Sequence, residues 1–283
     1  MKNILRKVSA MLVLTTVLVL GGCDELIEAL PSSDETFLKE TYDNQSEIFN
    51  LEMSYSITME SNDLDLDQDL EMTIQADMEN ENEGVMAMDM NIEGMPIETY
   101  FEFANGDVVF YMGMELLGQS IWMKDTTTVD DFYEEDKSVN NDPFFAGLND
   151  FIAYEKVEET TWTDGTSIRV YDITVNNTDF YTEIFGELEL DTANIFGLTR
   201  SQIQSIFEEI TYRVHIDEDD KLIRKVEMDI TEQMNQLLAA ESELGDDIQM
   251  DEVTIVMEIS KIGEIDIVIP DEAYSAEESD LFQ

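Results

Sequence analysis

Cysteine and histidine occur once each in this chain, and lysine and arginine together only 14 times against 66 aspartates and glutamates. A lone cysteine, Cys23, leaves no partner for an internal disulfide. The lone histidine, His215, shares its parity with Thr211 and Arg213, while Ile210, Tyr212, Val214 and Ile216 take the other side. It is therefore expected at the surface, on the wet face of a strand. No Ser-His-Asp set, Cys-His pair or glycine-rich phosphate loop can be written, so no enzyme and no cofactor is expected. Carboxylate pairs carry no information, because with 66 acids any two can be neighbours by chance. The basic residues form no cluster, which excludes nucleic acid as a partner.

Calcium fails a similar test. In "DLDLDQDLEMTI" the EF-hand register from Asp65 puts Leu70 at the glycine and Ala76 at the final glutamate; the register from Asp63 puts Gln68 and Ile74 there. "DEDDK" at 217–221 places Lys221 at a ligand position. No metal site is expected, and weak cation binding by the acidic surface is the most these carboxylates offer.

What the chain does have begins at its N-terminus. "MKNILRKVSAMLVLTTVLVLGGC" opens on Lys2, Arg6 and Lys7, runs uncharged and mostly apolar from Val8 to Leu20, and closes on Leu20-Gly21-Gly22-Cys23. The run is short for a bilayer span and has the proportions of a signal-peptide core. The closing tetrapeptide resembles the lipobox of bacterial lipoproteins. That resemblance implies cleavage before Cys23, a diacylglyceryl group (palmitate-type acyl chains) on its sulfur, and a protein exported to the outer face of the cell membrane. Two acyl chains anchor stably where one does not. Losing the three basic residues takes the formal charge from −52 to −55. Such a field repels anionic headgroups and holds the domain off the membrane. It also suits a saline or alkaline habitat, where solvated carboxylates keep a protein soluble.

At 43% hydrophobic and 9% aromatic residues the chain folds despite its charge. Residues 23–34 read as an acidic tether, 35–272 as a single domain, and 273–283 as a mobile acidic tail. Ser33 or Asp34 caps a helix carrying Phe37, Leu38, Tyr42, Ile48 and Phe49. From residue 51 the apolar period is two: Leu51, Met53, Tyr55, Ile57 and Met59, then Leu64 to Met78 at even positions between acids. "GVMAMDMNIEG" sets Met86, Met88, Met90 and Ile92 along one edge of the next strand. "FEFANGDVVFYM" is a hairpin and "SIWMKD" its neighbour, giving six strands in an antiparallel meander. Residues 129–152 read as short helices or a capping loop, and 151–176 as a hairpin across Thr163–Thr166. Helical stretches follow around 178–187 and 199–209. Strands return at 210–216 and 222–230, then a partly helical 231–247 and a last strand ended by Pro270.

Seventeen methionines are present, thirteen on these strand segments counting Met250. Methionine is flexible and polarizable, suited to a surface that meets variable apolar shapes. The plainer alternative is a solidly packed sheet in which methionine fills gaps, serving as a structural or protein-interaction module.

"EITYRVHIDEDDKLIRKVEMDI", "VTIVMEISKIGEIDIVIPDEA", "FANGDVVFYM" and "IWMKD" resemble segments of uncharacterised lipoproteins of Gram-positive bacteria. These in turn resemble the LolA/LppX-like superfamily of lipoproteins and lipoprotein carriers. The resemblance implies an α+β fold, a curved antiparallel β-sheet or half-barrel packed on a few helices around an apolar cavity. It implies a protein that holds or moves a lipid or other apolar ligand; a monomer is expected. In that setting Met86, Met88, Met90, Phe101, Phe103, Met112 and Met114 are the expected cavity lining.

Overall fold

The computed structural model describes residues 33–63, 66–80, 82–92, 95–116, 119–129, 132, 151–176, 205–206, 209–240 and 248–278. The expected signal segment with Cys23, most of the middle stretch 129–152, the stretch 178–187 expected to be helical and most of 199–209 lie outside the described residues.

Helix α1 (Ser33–Ser46) starts two residues ahead of the expected domain boundary and leads into β1 (Asn50–Ser61), β2 (Leu66–Asn80), β3 (Glu83–Ile92), β4 (Met95–Ala104), β5 (Asp107–Leu116) and β6 (Gln119–Thr128). The chain continues with β7 (Phe151–Thr161), β8 (Ser167–Asn176), β9 (Glu209–Asp217), β10 (Ile223–Asp229), α2 (Thr231–Ala240), β11 (Glu252–Ser260), α3 (Asp271–Tyr274) and β12 (Glu277–Glu278). The strands form an open sheet in the order β12-β6-β5-β4-β3-β2-β1-β11-β10-β9-β8-β7. It is an antiparallel sheet of eleven strands with few helices, and the two-residue β12 adds a parallel pairing to β6. The expected α+β class with one large antiparallel sheet holds.

Turn chemistry sets the register. Ala104 pairs with Asp107, and Asn105 (φ 58°) and Gly106 (φ 87°) both take the left-handed conformation. That is the mirror-image turn whose twist suits a two-residue hairpin, and Asn-Gly adopts it at little cost. In "DEDDK" the Asp217 carboxylate accepts the N–H groups of Asp219 and Asp220, and Lys221 closes the turn at φ 53°. Asp217 also meets Arg224 at 3.1 Å, so this buried acid is fully engaged in shaping a hairpin.

Contacts gather the chain into two compact units, where the sequence reads as a single body over 35–272. One comprises Met1–Ser46, Met59–Gln68 and Lys137–Thr254; the other comprises Glu47–Thr58, Asp69–Asp136 and Ile255–Gln283. In the first, α1 lies on β8 to β10. Phe37 stacks 6.2 Å from Tyr171, the Arg169 guanidinium covers Phe37 at 4.4 Å, and Gln45 accepts the Ile223 N–H at 3.0 Å. Tyr171 donates to Asp34, and burial pushes its phenol up to about 12. Lower down, α2 buries Met234 and Leu237. Its Asn235 side chain bonds both the N–H and the C=O of Met250, so this methionine sits in a connecting segment and not on the strand expected there.

In the second unit the C-terminal residues cover one face of the sheet. The strand expected to reach Pro270 stops at Ser260, because Lys261 (φ 49°) and Gly263 (φ 73°) turn the chain. Asn50 then clamps the following segment: its amide donates to Asp77 (2.9 Å) and to the Ile265 carbonyl (2.8 Å), and its oxygen accepts the Ile265 N–H (2.9 Å). Glu52, only 9% exposed, accepts from Lys261 (2.6 Å), Gln75 (2.7 Å) and Ser260 (3.2 Å). Beyond Pro270 the residues expected to open a mobile tail form α3 and β12 instead. Ala273 is 0% exposed and packs with Ile269 on Tyr111, whose hydroxyl donates to Glu102. Apolar burial outweighs the charge of this segment as far as Glu278.

Two predictions concern this framework. Burial acts to raise the Glu52 carboxyl, but the hydrogen bonds from Lys261, Gln75 and Ser260 and the Lys261 charge outweigh it, so the group lies below its ordinary value. A lowered carboxylate stabilises the fold above its unfolded value, and that contribution disappears as pH falls through the folded value. Glu52→Gln should therefore flatten the dependence of the urea midpoint on pH below about 4.3, the ordinary glutamate value; an unchanged slope contradicts the clamp. Gly84 has φ +140°, and a Cβ there would lie 2.5 Å from the Asp77 oxygen and the Met78 Cα. Gly84→Ala should cost about 2 kcal/mol in urea unfolding.

Candidate functional site

Strands that alternate place every second side chain on the same face, and directly paired residues share that face. From β2 to β6 the registers therefore assemble four transverse rows. The first is Met78, Gly84, Phe103, Val108 and Thr127; the second is Ala76, Met86, Phe101, Phe110 and Asp125. The third is Ile74, Met88, Thr99, Met112 and Met123; the fourth is Met72, Met90, Ile97, Met114 and Ile121. All seven expected lining residues, Met86, Met88, Met90, Phe101, Phe103, Met112 and Met114, fall on this one face. Met72, Ile74, Ile97, Ile121 and Met123 join them, and the even-position alternation of β2 already carried that signal for the first two.

The rows are not equally covered. Phe103 (3% exposed), Val108 and Val129 make a buried cluster, with Met78, Met86, Phe101 and Phe132 against it. The Phe132 ring lies 5.7 Å from Phe103 and 5.9 Å from Phe101 in edge-on contacts. Phe101 and Phe103 thus belong to a filled core. Along the third and fourth rows Ile74 and Thr99 are buried, Met72, Met88, Met90, Ile97, Met112, Met114 and Met123 are half-buried, and Ile121 is 42% exposed. These two rows form an apolar strip across five strands that has no such cluster of buried residues over it among the described residues.

Most charge lies on the reverse of the same strands, Asp125 of the second row being the exception. Asp77, Asp89, Glu98, Glu102 and Lys124 all take the opposite parity, and Asp89 pairs directly with Glu98. Burial pushes the Asp89 carboxyl up. The reverse also carries Tyr100, Tyr111 and Trp122, the platform on which the C-terminal segment rests. Gly113 makes room for Trp122, since a Cβ there would lie 2.7 Å from the indole ring. Two open depressions occur in this unit. One of about 510 Å³ is lined by Ser120, Trp122, Asp271, Glu272 and Glu277 among others; one of about 350 Å³ is lined by Ser54, Ser56, Glu71, Met72 and Glu258 among others. Neither includes any of the seven expected lining residues.

His215 is more enclosed than its parity predicts, with its side chain 14% exposed. Its Nε2 lies 2.8 Å from the Glu227 carboxylate, which Lys225 also meets at 2.8 Å, and its ring is 6.5 Å from Trp162. Burial works to raise Glu227, but hydrogen bonds from Lys225 and His215 outweigh it and the group is lowered. These contacts give His215 a place in a hydrogen-bonded network between β9 and β10. Among the described residues no group of three or more histidine, cysteine or acidic side chains is arranged to hold a metal ion, and no helix is long and apolar enough to cross a membrane.

No family model and no curated protein sequence matches the chain. Solved structures similar to it include lipoprotein LppX of Mycobacterium tuberculosis, at 11% identity and a TM-score of 0.44, covering 84% of this chain and 100% of that one. LprF of Mycobacterium bovis is similar at 11% identity and a TM-score of 0.42, covering 87% and 100%. A LolA superfamily protein of Nitrosomonas europaea follows at 9% identity and a TM-score of 0.26, covering 86% and 97%. LppX and LolA-superfamily proteins are thus among this chain's structural neighbours. At these TM-scores the likeness goes no further than the layout of the fold.

The uneven cover of the rows predicts an uneven response to truncation. Phe103→Ala, in the filled part, should cost about 3–5 kcal/mol in urea unfolding, and Met112→Ala, on the half-buried strip, about 1 kcal/mol. Equal costs would mean that the strip is packed as tightly as the core.

Proposed function

We propose that this chain is a non-catalytic bacterial lipoprotein, anchored through a diacylglyceryl group on Cys23, that holds a lipid or similar apolar ligand against the methionine strip of β2 to β6. The observation that carries the reading is the strip itself. Six methionines (Met72, Met88, Met90, Met112, Met114 and Met123) with Ile74, Ile97, Ile121 and Thr99 make two adjacent rows that carry no formal charge, the face's one acid, Asp125, standing in the next row. A contiguous apolar surface most of whose side chains stay partly exposed fits a binding site. Methionine there fits a ligand of variable shape, since its side chain adapts at low cost where isoleucine or valine would dictate one contour.

Export and anchorage rest on the sequence: a basic start, an apolar core and Leu20-Gly21-Gly22-Cys23 in order. The two features support each other, because a protein tethered at a membrane surface has acyl chains within reach. The enzyme reading lacks material, since the lone histidine sits in the Lys225–Glu227 network and the lone cysteine is the lipidation residue.

Two measurements test this reading. Cys23→Ser should abolish labelling by radioactive palmitate and leave the signal segment uncleaved; labelling that persists contradicts the anchor. Native mass spectrometry of the gently extracted lipoprotein should show co-purifying lipid, reduced several-fold by Met88→Glu together with Met112→Glu. A clean apo mass, with no uptake of a fluorescent fatty acyl probe, would favour the solidly packed interaction module instead.

A further inference from the structure

We propose that the methionine strip selects lipids whose headgroup carries no net charge and discriminates against anionic ones. This inference rests on the apolar-ligand reading above and adds the chemical class of the ligand. A phosphate or carboxylate headgroup held beside buried acyl chains needs a cation or several N–H donors nearby, because an unpaired charge taken out of water is costly.

Among the described residues the strip offers none. Across the four rows every described side chain is apolar, a threonine or glycine, except Asp125 at the β6 end. The cations of the same unit are engaged elsewhere: Lys124 lies on the reverse face over Tyr111, and Lys261 is bound to Glu52. Asp125, the one charge on this face, is of the sign that repels an anion. Around it the whole molecule carries a formal charge of −52, a field that lowers the local concentration of any anionic ligand. An uncharged headgroup meets neither obstacle, and the row-end hydroxyl of Thr127 and carboxylate of Asp125 can accept hydrogen bonds from its hydroxyls.

The test uses the full lipoprotein, extracted with its anchor in a non-ionic detergent and offered an equimolar mixture of dioleoylglycerol and dioleoylphosphatidylglycerol. These share their acyl chains and differ in headgroup charge. Native mass spectrometry in ammonium acetate should show the uncharged lipid bound in about tenfold excess at low ionic strength, falling to about threefold or less near 1 M, where charges are screened within about 3 Å. Asp125→Lys, at a half-exposed position that leaves the strip intact, should lower the low-salt excess several-fold. Equal or preferred binding of phosphatidylglycerol overturns the selectivity and leaves the apolar-ligand reading standing. An excess that ignores both salt and Asp125→Lys shows that charge is not its cause and likewise overturns the proposal. Binding of neither lipid overturns the apolar-ligand reading, and the selectivity with it.

Discussion

In-register pairing of alternating strands is the constraint on which everything else in the second unit depends. From β2 to β6 the registers keep one face mostly apolar, with Asp125 its one charged side chain, and set Asp77, Asp89, Glu98, Glu102 and Lys124 on the reverse. A slip of one residue in any of these strands would move its whole methionine set to the acidic side. The register is pinned by turn chemistry at Asn105-Gly106, by the tight approach of Gly84 to Asp77 and Met78, and by the seat of Trp122 on Gly113. Two faces of opposite character follow from those few positions.

The faces are then treated differently. On the reverse, a segment of the chain's own C-terminus covers Tyr111 and Trp122, held by Asn50, Asp77, Glu52 and Lys261. In the other unit, scarce basic side chains likewise sit where elements meet. Arg169 pairs with Glu218 while covering Phe37, Lys221 pairs with Glu40 on α1, and Arg213 pairs with Asp172 across β8 and β9. A chain this acidic has few cations to distribute, and these positions hold helix to sheet or strand to strand. Surface pairs alone contribute little to stability; here they accompany buried aromatic contacts that contribute more. Among the described residues the methionine face receives no comparable cation, and the want of charge along its third and fourth rows is the physical basis of the function proposed for it.

Much of this was legible in the sequence because alternation is a local signal. Period-two runs and the Asn-Gly turn marked the six-strand meander, and the same parity placed all seven residues expected to line a cavity on one face. Three features were not legible. The C-terminal cover was missed because acids are interspersed through it, and only contact with Tyr111 shows why Ala273 and Ile269 are buried. His215 was expected at the surface because strand parity says nothing about a neighbour such as Trp162 arriving from another hairpin. The split of the expected lining into a filled half and a half-buried half depends on Val129 and Phe132, whose position over Phe101 and Phe103 no periodicity encodes. Local pattern gave faces and turns, and tertiary contact decided what covers them.

The methionines that define the strip also report on it. With ¹³C at the methionine ε-methyl groups, each residue gives a separate nuclear magnetic resonance signal in either half of the molecule. On adding an uncharged long-chain lipid, the signals of Met88, Met90, Met112, Met114 and Met123 should shift, while those of the fully buried Met53, Met228 and Met257 stay in place. Unmoved strip signals, or shifts spread equally over all the methionines, would contradict the claim that this face holds an apolar ligand.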